Sequence, residues 1–532
     1  MRIFEVLALG ILAALTCHGI CASLQRRRLD ALSKKHGCAA PATKSMRWPW
    51  GAERIYKLLC FKGDLLDDLV TPSFAKLQSW TLQLNMPLVL KPSLLVADPA
   101  NVKAVLSTSF ADWGVGPRRL KQFGPFLGLG IFTADGHAWS SSRSLLRPVF
   151  TRHQVGDIQF TARHVDRLLQ CLGRESAQGA RWTDWVDAMP FIYRFTLDAA
   201  TEFLFGDSVE SQVLPSNALA AELLGRNNFE RAFEASSLGV GGRMRLGAFY
   251  WLVNYPAFRN ACRLCRTYVT GFVEKALSLK KHPQQQPLSE KAGPVRTQGL
   301  FLQQLAEFTD DPVLIRDQLL QLLFAGRDTT ATLISFALLC LARHPGGWDK
   351  LREEILQQFG TPGDVGRRDE MTFENLKGCT YLQHVLSETL RLYPPIPVNT
   401  RQALRDTVLP TGGGPDRNEP VVVPQGTTLT YSVYVIHRRK DIWGEDASEW
   451  RPERWEGMKG GFHYLPFNAG PRHCPGQQFA LTEAAYTLAR LAQTFDRLEC
   501  PDPEEPVRKT LGITIQPAEG VVSMPSSMAD GD

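Results

Sequence analysis

Residues able to do chemistry gather around one cysteine. The stretch Phe467-Asn-Ala-Gly-Pro-Arg472-His-Cys474-Pro-Gly476 sets a thiol among Gly470, Pro471, Pro475 and Gly476, and the helical pattern Gln477–Arg490 follows it. Glycine and proline hold such a loop tight, so that a sulfur can stay still while a flat cofactor lies against it. Close to a helix start, unpaired N–H groups and the helix dipole favour a thiolate over a thiol. Arg472, two residues before the cysteine, can reach the acidic edge of a cofactor. A lone buried cysteine is the commonplace alternative. Phe, Gly, Arg, Cys and Gly at these offsets rarely coincide by chance.

Three further constellations could act with it. Trp139 and Arg143 stand four residues apart in a helical run that begins at Asp135, which puts an indole N–H and a guanidinium on one face, suited to carboxylates. Taken alone, such a pair is more often packing. Ala325-Gly-Arg-Asp328-Thr329-Thr330 interrupts an apolar helical pattern, Asp317–Leu341. Small residues there allow a flat ligand close, whereas an acid and a hydroxyl are costly in an oily segment without a partner or task. A threonine bonded to its own helix backbone is the plain alternative. Glu388 and Arg391 share one helical turn, a pair that is common and weak by itself.

The positioning elements read as mostly helical. Leu88–Ala97 and Val421–Tyr434 are β-leaning runs bounded by proline and glycine, so a minor sheet is expected. Strands and helices do not alternate, which argues against a doubly wound parallel sheet. Lys280–Gly299 reads as a polar surface loop and Gly412–Pro415 as a turn. Nothing splits the body into two domains. The fold class is mainly α with a minor β portion: one catalytic domain over residues 52–532, behind a span at 1–25 and a basic, aromatic hinge at 26–51.

That span, Ile3–Leu24, is almost wholly apolar and long enough for a bilayer, which takes about 20 residues. Arg26, Arg27, Arg28, Lys34 and Lys35 follow it, a positive flank expected to stay cytosolic and the reverse of a cleaved signal's order. Trp48 and Trp50 would rest at the lipid interface. The 11 cysteines are odd in number and lack pairing rhythm, which suits a reducing compartment. Cys262 and Cys265 form a CxxC with no second pair, too few ligands for zinc. A net charge of +6 with no dense basic run beyond the N-terminal region argues against nucleic acid.

The cysteine loop resembles that of the cytochrome P-450 superfamily, the haem-thiolate monooxygenases. The Trp139/Arg143 run with Pro148-Val-Phe150, the Ala325–Thr330 run, Glu388-Thr-Leu-Arg391 with Leu392-Tyr-Pro-Pro395, and Pro452-Glu-Arg454-Trp also occur in the family's order, over roughly residues 52–524. The resemblance implies the cytochrome P-450 fold with Cys474 as axial ligand of the haem iron. Trp139, Arg143, Arg401 and Arg472 would hold the haem propionates, with Phe467 and Gly476 against the cofactor. Thr329 would support protonation of bound dioxygen and Asp328 would feed the proton relay. Glu388, Arg391 and Arg454 would lock the core behind the cysteine loop. No GxGxxG follows any strand, so electrons from NADPH would arrive through a separate membrane-bound NADPH–haemoprotein reductase. Localisation at the endoplasmic reticulum with a cytosolic catalytic domain is expected.

Tyr431–Trp443 and Phe467–Glu483 look most like the fungal branch that oxidises n-alkanes and fatty acids. Pro475 departs from that branch's leucine, and Trp48-Pro-Trp50 replaces a more proline-rich hinge. A long-chain alkane, fatty acid or alkyl-bearing substrate is therefore expected, with a tailoring monooxygenase of fungal secondary metabolism as the alternative. Phe110, Trp113, Phe123, Phe126, Leu127, Leu129 and Ile131, then Ile396–Val398, would line the channel. Leu511–Ile515, a hairpin strand, would close it, and Arg118 and Arg119 would offer a cation at its mouth. A haem sensor or electron carrier is disfavoured by Asp328-Thr329, and so is a reductase-independent peroxide or aldoxime rearrangement.

Overall fold

The computed structural model describes residues 2–44, 61, 63–84, 92–150, 158–177, 186–213, 220–281, 300–362, 370–458 and 460–521. Numbering only helices of eleven or more residues, these are α1 (Arg2–His36), α2 (Pro117–Leu127), α3 (Gly136–Leu146), α4 (Gln159–Ala177), α5 (Met189–Phe205), α6 (Ala220–Arg245), α7 (Pro256–Lys281), α8 (Pro312–Arg343), α9 (Pro345–Phe359), α10 (Thr380–Leu392) and α11 (Gln477–Thr494). The strands are β1 (Ala42–Lys44), β2 (Thr81–Leu84), β3 (Ser93–Val96), β4 (Trp113–Gly114), β5 (Val398–Ala403), β6 (Thr407–Gly413), β7 (Glu419–Val423), β8 (Thr428–Ser432), β9 (Lys509–Leu511) and β10 (Ile515–Pro517).

Everything is arranged about α8. Asp311 caps it, its carboxylate accepting the N–H groups of Val313 and Leu314, and Pro312 takes the first helical position where no N–H is needed. Helices α2, α5, α7, α9, α10 and α11 all pack against it. Its N-terminal half, including Leu319, Leu323 and Phe324, belongs to a core with Phe126, Phe233 and Val269. Its C-terminal half, including Ile334 and Leu338, belongs to another core with Trp348, Leu382 and Leu488. Each such fully buried leucine contributes about 1.5–3 kcal/mol. The two cores meet around Ala325–Thr330.

Beside the helices lies a mixed sheet in the order β1-β2-β3-β8-β5-β4, with β6–β7 and β9–β10 as separate antiparallel pairs. Its register sets Arg401 of β5 opposite Leu429 of β8, and Gly114 of β4 opposite Gln402. The expected minor β portion is present, but the run Val421–Tyr434 is not one strand. Pro424 accepts the Thr427 N–H at 3.1 Å and Gly426 has φ +82°, so a turn sends its two halves to different sheets. Ser432 then caps a short helix, Val433–Ile436. Of the run Leu88–Ala97, residues 88–91 lie outside the described residues, and the strand in the remainder is Ser93–Val96. The 511–515 strand is in fact the turn of the β9–β10 hairpin with one strand residue at each end.

No helix end falls at residue 25: α1 runs through the basic cluster to His36. Ala39 donates to the Pro420 carbonyl at 2.9 Å and β1 pairs with β2, so residues 39–44 belong to the body rather than to a hinge. Trp48 and Trp50 lie outside the described residues.

Candidate active site

The cysteine loop owes its shape to a close approach. Gly470 has φ +67°, and a Cβ there would stand 1.8 Å from the Leu106 carbonyl oxygen, so only glycine fits. A 3-10 turn covers Gly470–Arg472, and the Cys474 N–H closes the loop on the Phe467 carbonyl at 2.9 Å. Asn468 takes φ +63°; its side chain donates to the Arg472 carbonyl at 3.3 Å and accepts the Tyr431 hydroxyl at 3.1 Å. Helix α11 begins just behind, with Gly476 as its N-cap. Gly476 has φ −88°, and a Cβ there would meet only Phe150, at 3.5 Å. Neither backbone nor neighbours require that glycine, whereas a flat group beside the sulfur would.

Burial pushes the Cys474 thiol up to about 11, against the opposing pull of the Gly476 N–H and Arg143. The helix start therefore does not by itself yield a thiolate. A metal ion takes a cysteine as its thiolate, so a ligating role for Cys474 would couple metal binding to loss of the thiol proton.

Three arginines from distant parts of the chain converge beside the loop: Arg472, Arg401 of β5 and Arg119 of α2. Burial, with the neighbouring guanidinium charge of Arg401 adding to it, lowers both Arg119 and Arg472 to about 10. Among the groups acting on them one carboxylate appears, Asp135, which accepts from Arg472 at 2.7 Å and from the Val115 and Gly116 N–H groups at 2.8 Å each. Among the described residues, three guanidiniums face one carboxylate here, an excess of two positive charges. Arg472 also keeps Nε and Nη1 buried without a hydrogen-bond partner. Unpaired buried donors are costly, so the cluster suits a ligand with two acidic groups, as haem carries in its propionates. Arg119 donates to the Thr400 hydroxyl at 2.7 Å. It thus stands in the arginine cluster beside the cysteine loop and not, as expected, at a channel mouth.

Of the paired residues on α3, Trp139 lies under the Arg472 guanidinium at 4.4 Å, and Arg143 donates to the His473 carbonyl at 2.9 Å. Both therefore meet the cysteine loop.

On α8 the run Asp317–Ala342 is buried except at Ala325, Gly326 and Thr329. These three positions share one face, and they open a small-residue gap in a run otherwise buried. The Thr329 hydroxyl donates to the Ala325 carbonyl at 2.6 Å, the plain local bond. Asp328 points elsewhere: it accepts from Arg327 at 2.9 Å and from Ser237 of α6 at 3.0 Å. Phe123 and Phe126 set their rings edge-on to Phe324, one residue before the gap. Trp113 instead sits in the sheet core, and Leu129 is 45% exposed, so neither lines an apolar channel here.

Glu388, Arg391 and Arg454 do meet. Glu388 holds Arg391 through both oxygens at 2.8 Å and Arg454 at 3.3 Å, and also accepts from Trp455 Nε1 and the Arg451 N–H at 3.0 Å. Arg391 donates onward to the carbonyls of His437, Ala447 and Glu449. Sequence reasoning missed His437, which bridges this cluster to the cysteine loop. Its Nδ1 meets the Arg391 carbonyl at 2.9 Å, and its Nε2 accepts the Leu465 N–H at 2.8 Å. Both bonds need the neutral Nδ1–H tautomer, and burial lowers the imidazole to about 3. The role of Asp135 was missed too, its cue being its place before the Trp139 helix, and Arg119 was expected at a channel mouth rather than in the arginine cluster.

A family model described as Cytochrome P450 matches residues 80–524. The chain is 40% identical to cytochrome P450 monooxygenase g430 of Fusarium sp over 508 residues, covering 95% of this chain and 87% of the relative. It is 40% identical to cytochrome P450 monooxygenase milC of Cordyceps militaris, covering 93% and 94%. It is 44% identical to cytochrome P450 52A3-A of Candida maltosa, covering 86% of each. The cysteine loop, the unmet arginines and the gap in α8 thus sit in a chain whose relatives share it almost end to end: it belongs to the cytochrome P450 family of haem-dependent monooxygenases.

Proposed function

We propose that this P450 monooxygenase inserts one oxygen atom into a C–H bond of a long, largely aliphatic molecule, a long-chain alkane, fatty acid or alkyl-bearing compound. The carrying observation is the face of α8 where Ala325, Gly326 and Thr329 alone are uncovered, next to the apolar rings of Phe324, Phe123 and Phe126. Such a wall offers dispersion contact and few polar groups, which suits an alkyl chain. The 44% identity to cytochrome P450 52A3-A supports the same branch.

Haem, when bound, supplies dioxygen activation, with the thiolate favouring O–O cleavage. Cys474 would hold its iron through the sulfur. Arg472, Arg401, Arg143 and Trp139, joined by Arg119, would grip its acidic edge, with Phe467 and Gly476 beside the sulfur. Thr329 would hold a proton at its hydroxyl on the uncovered face. Asp328, buried between Arg327 and Ser237, would relay protons from the α6 side. Glu388, Arg391 and Arg454 would keep the loop's support rigid. Electrons from NADPH would come through a separate reductase, and α1 would anchor the chain in a membrane, with the catalytic body in the cytosol at the endoplasmic reticulum.

A second reading, a tailoring monooxygenase of fungal secondary metabolism, is favoured by Pro475 and by the 40% identity to g430 and milC over nearly the whole chain. Spectral titration of the holoenzyme with matched alkane, fatty acid and polycyclic ligands separates the two. The aliphatic reading expects alkyl ligands to perturb the haem spectrum. If only rigid polycyclic compounds do so, the tailoring reading replaces it.

A further inference from the structure

Away from the cysteine loop, helix α7 presents Arg259, Arg263 and Arg266 along one groove, and Arg316 of α8 faces them across it. The groove has a volume of about 590 Å³, and its lining holds these four guanidiniums against one acid, Glu274. Two of the arginines are held from beneath. Asp317, with its side chain 5% exposed, accepts from Arg316 at 2.7 and 3.0 Å and from Arg266 at 3.4 Å. A buried carboxylate that orients two guanidiniums leaves their other N–H groups free for an anion in the groove. Arg263 meets Asn260 at 2.9 Å. The excess of positive charge along this open groove favours an anionic ligand.

An exposed leucine is tied to the same carboxylate. Asp317 uses its other oxygen to accept the Leu129 N–H at 2.9 Å, and the Leu129 side chain is 45% exposed at that point. The contact is built for that loop: Gly128 has φ +66°, and a Cβ there would lie 1.8 Å from the same carboxylate oxygen. The loop continues to Phe132, whose N–H is held by Gln321 at 2.8 Å, and to Ala134 and Asp135, which hold Arg472. One carboxylate therefore joins the arginine groove to the loop that runs toward the haem-edge cluster.

We propose that this groove is a binding subsite, outside the reaction cavity, for the carboxylate of a long-chain acid. Guanidiniums take the head group and the exposed Leu129 side takes the start of the alkyl chain. The ligand class rests on the aliphatic reading above; the anion site itself does not. It also supplies the cationic contact for a fatty acid that Arg119, turned to the cofactor cluster, does not offer.

Direct binding is the readout, so the test stands apart from turnover. Equilibrium dialysis of labelled dodecanoate and dodecanol would be run on the full-length holoenzyme and its Arg259→Gln/Arg263→Gln variant. Both arginines are surface-exposed and neither touches Asp317, so the variant should fold. Dodecanoate should bind the variant about tenfold or more weakly, the loss expected for one charge-assisted contact, with dodecanol unchanged. Equal dodecanoate binding by both proteins would overturn the subsite, as would a parallel fall for dodecanol. Arginine-dependent binding to phosphatidylserine vesicles with no dodecanoate difference would make the groove a membrane contact instead. If the holoenzyme oxidises no aliphatic substrate yet shows the dodecanoate difference, the aliphatic function fails and the subsite stands.

Discussion

Thr329 and Asp328 are adjacent in sequence but serve different surroundings, because successive helical positions point about 100° apart. The threonine reaches the uncovered face of α8, while the aspartate is drawn to Arg327 and Ser237. The Thr329 hydroxyl donates to the Ala325 carbonyl, which leaves its lone pairs free to accept from a bound molecule. Thr329→Ala should leave haem loading intact, since among the described residues the hydroxyl's hydrogen bond lies within its own helix. Coupled product formation should fall roughly 10²-fold, the low end for a positioned proton donor. Reducing equivalents would then drain into peroxide. NADPH consumed per product formed, with peroxide measured alongside, checks this; unchanged coupling would remove Thr329 from the relay.

At the scale of elements, α10 is tied to the chain before the cysteine loop by buried charge. Glu388 and Arg391 are fully buried and the Arg454 side chain is 3% exposed. A buried pair of this kind contributes little net stability relative to an apolar replacement, but removing one partner strands the other. Glu388→Gln leaves Arg391 and Arg454 without their shared carboxylate. It should cost about 3–5 kcal/mol and release haem on purification. Thermal unfolding and the haem-to-protein ratio measure both, with Thr329→Ala as the variant that keeps them. A Glu388→Gln protein with native stability and full haem would show the cluster to be dispensable.

Across the whole molecule, two buried titrating groups oppose each other. Glu483 of α11 keeps Oε1 buried with no hydrogen-bond partner, and burial raises its carboxyl from 4.5 to about 8. A raised carboxyl favours the folded state fully below 4.5, and that contribution is lost as pH rises through about 8. His437 has the opposite sign: lowered from 6.5 to about 3, it contributes above 6.5 and loses that contribution as pH falls toward 3. Glu483→Gln should therefore remove the decline in stability between 6.5 and 8, and between 4.5 and 6.5 leave the rise due to His437 unopposed. Thermal midpoints of both proteins across that range test it. Parallel curves would mean that Glu483 finds a partner in solution.

Cys474, Arg472, the Glu388–Arg391 turn and the small-residue break in α8 were legible because each is local. Their chemistry depends on neighbours within a few residues, and loop glycines or helical spacing bring those neighbours together without help from the rest of the chain. The existence of α8 was legible for the same reason, since the apolar run Asp317–Leu341 defines a helix in one dimension, although its start at Pro312 behind the Asp311 cap was not read. What only the tertiary structure decided involves pairs far apart in sequence. Arg119 reaches Arg401 and Arg472 because β4 pairs with β5 at Trp113–Ala403, a register that no local pattern encodes. Val421–Tyr434 reads as one apolar run, yet its halves pair with β6 on one side and with β3 and β5 on the other. Asp317 looked like the first residue of an apolar helix. Packing made it the buried carboxylate that two arginines and a glycine-bearing loop share, because burying a charge demands partners and only the folded chain could supply them.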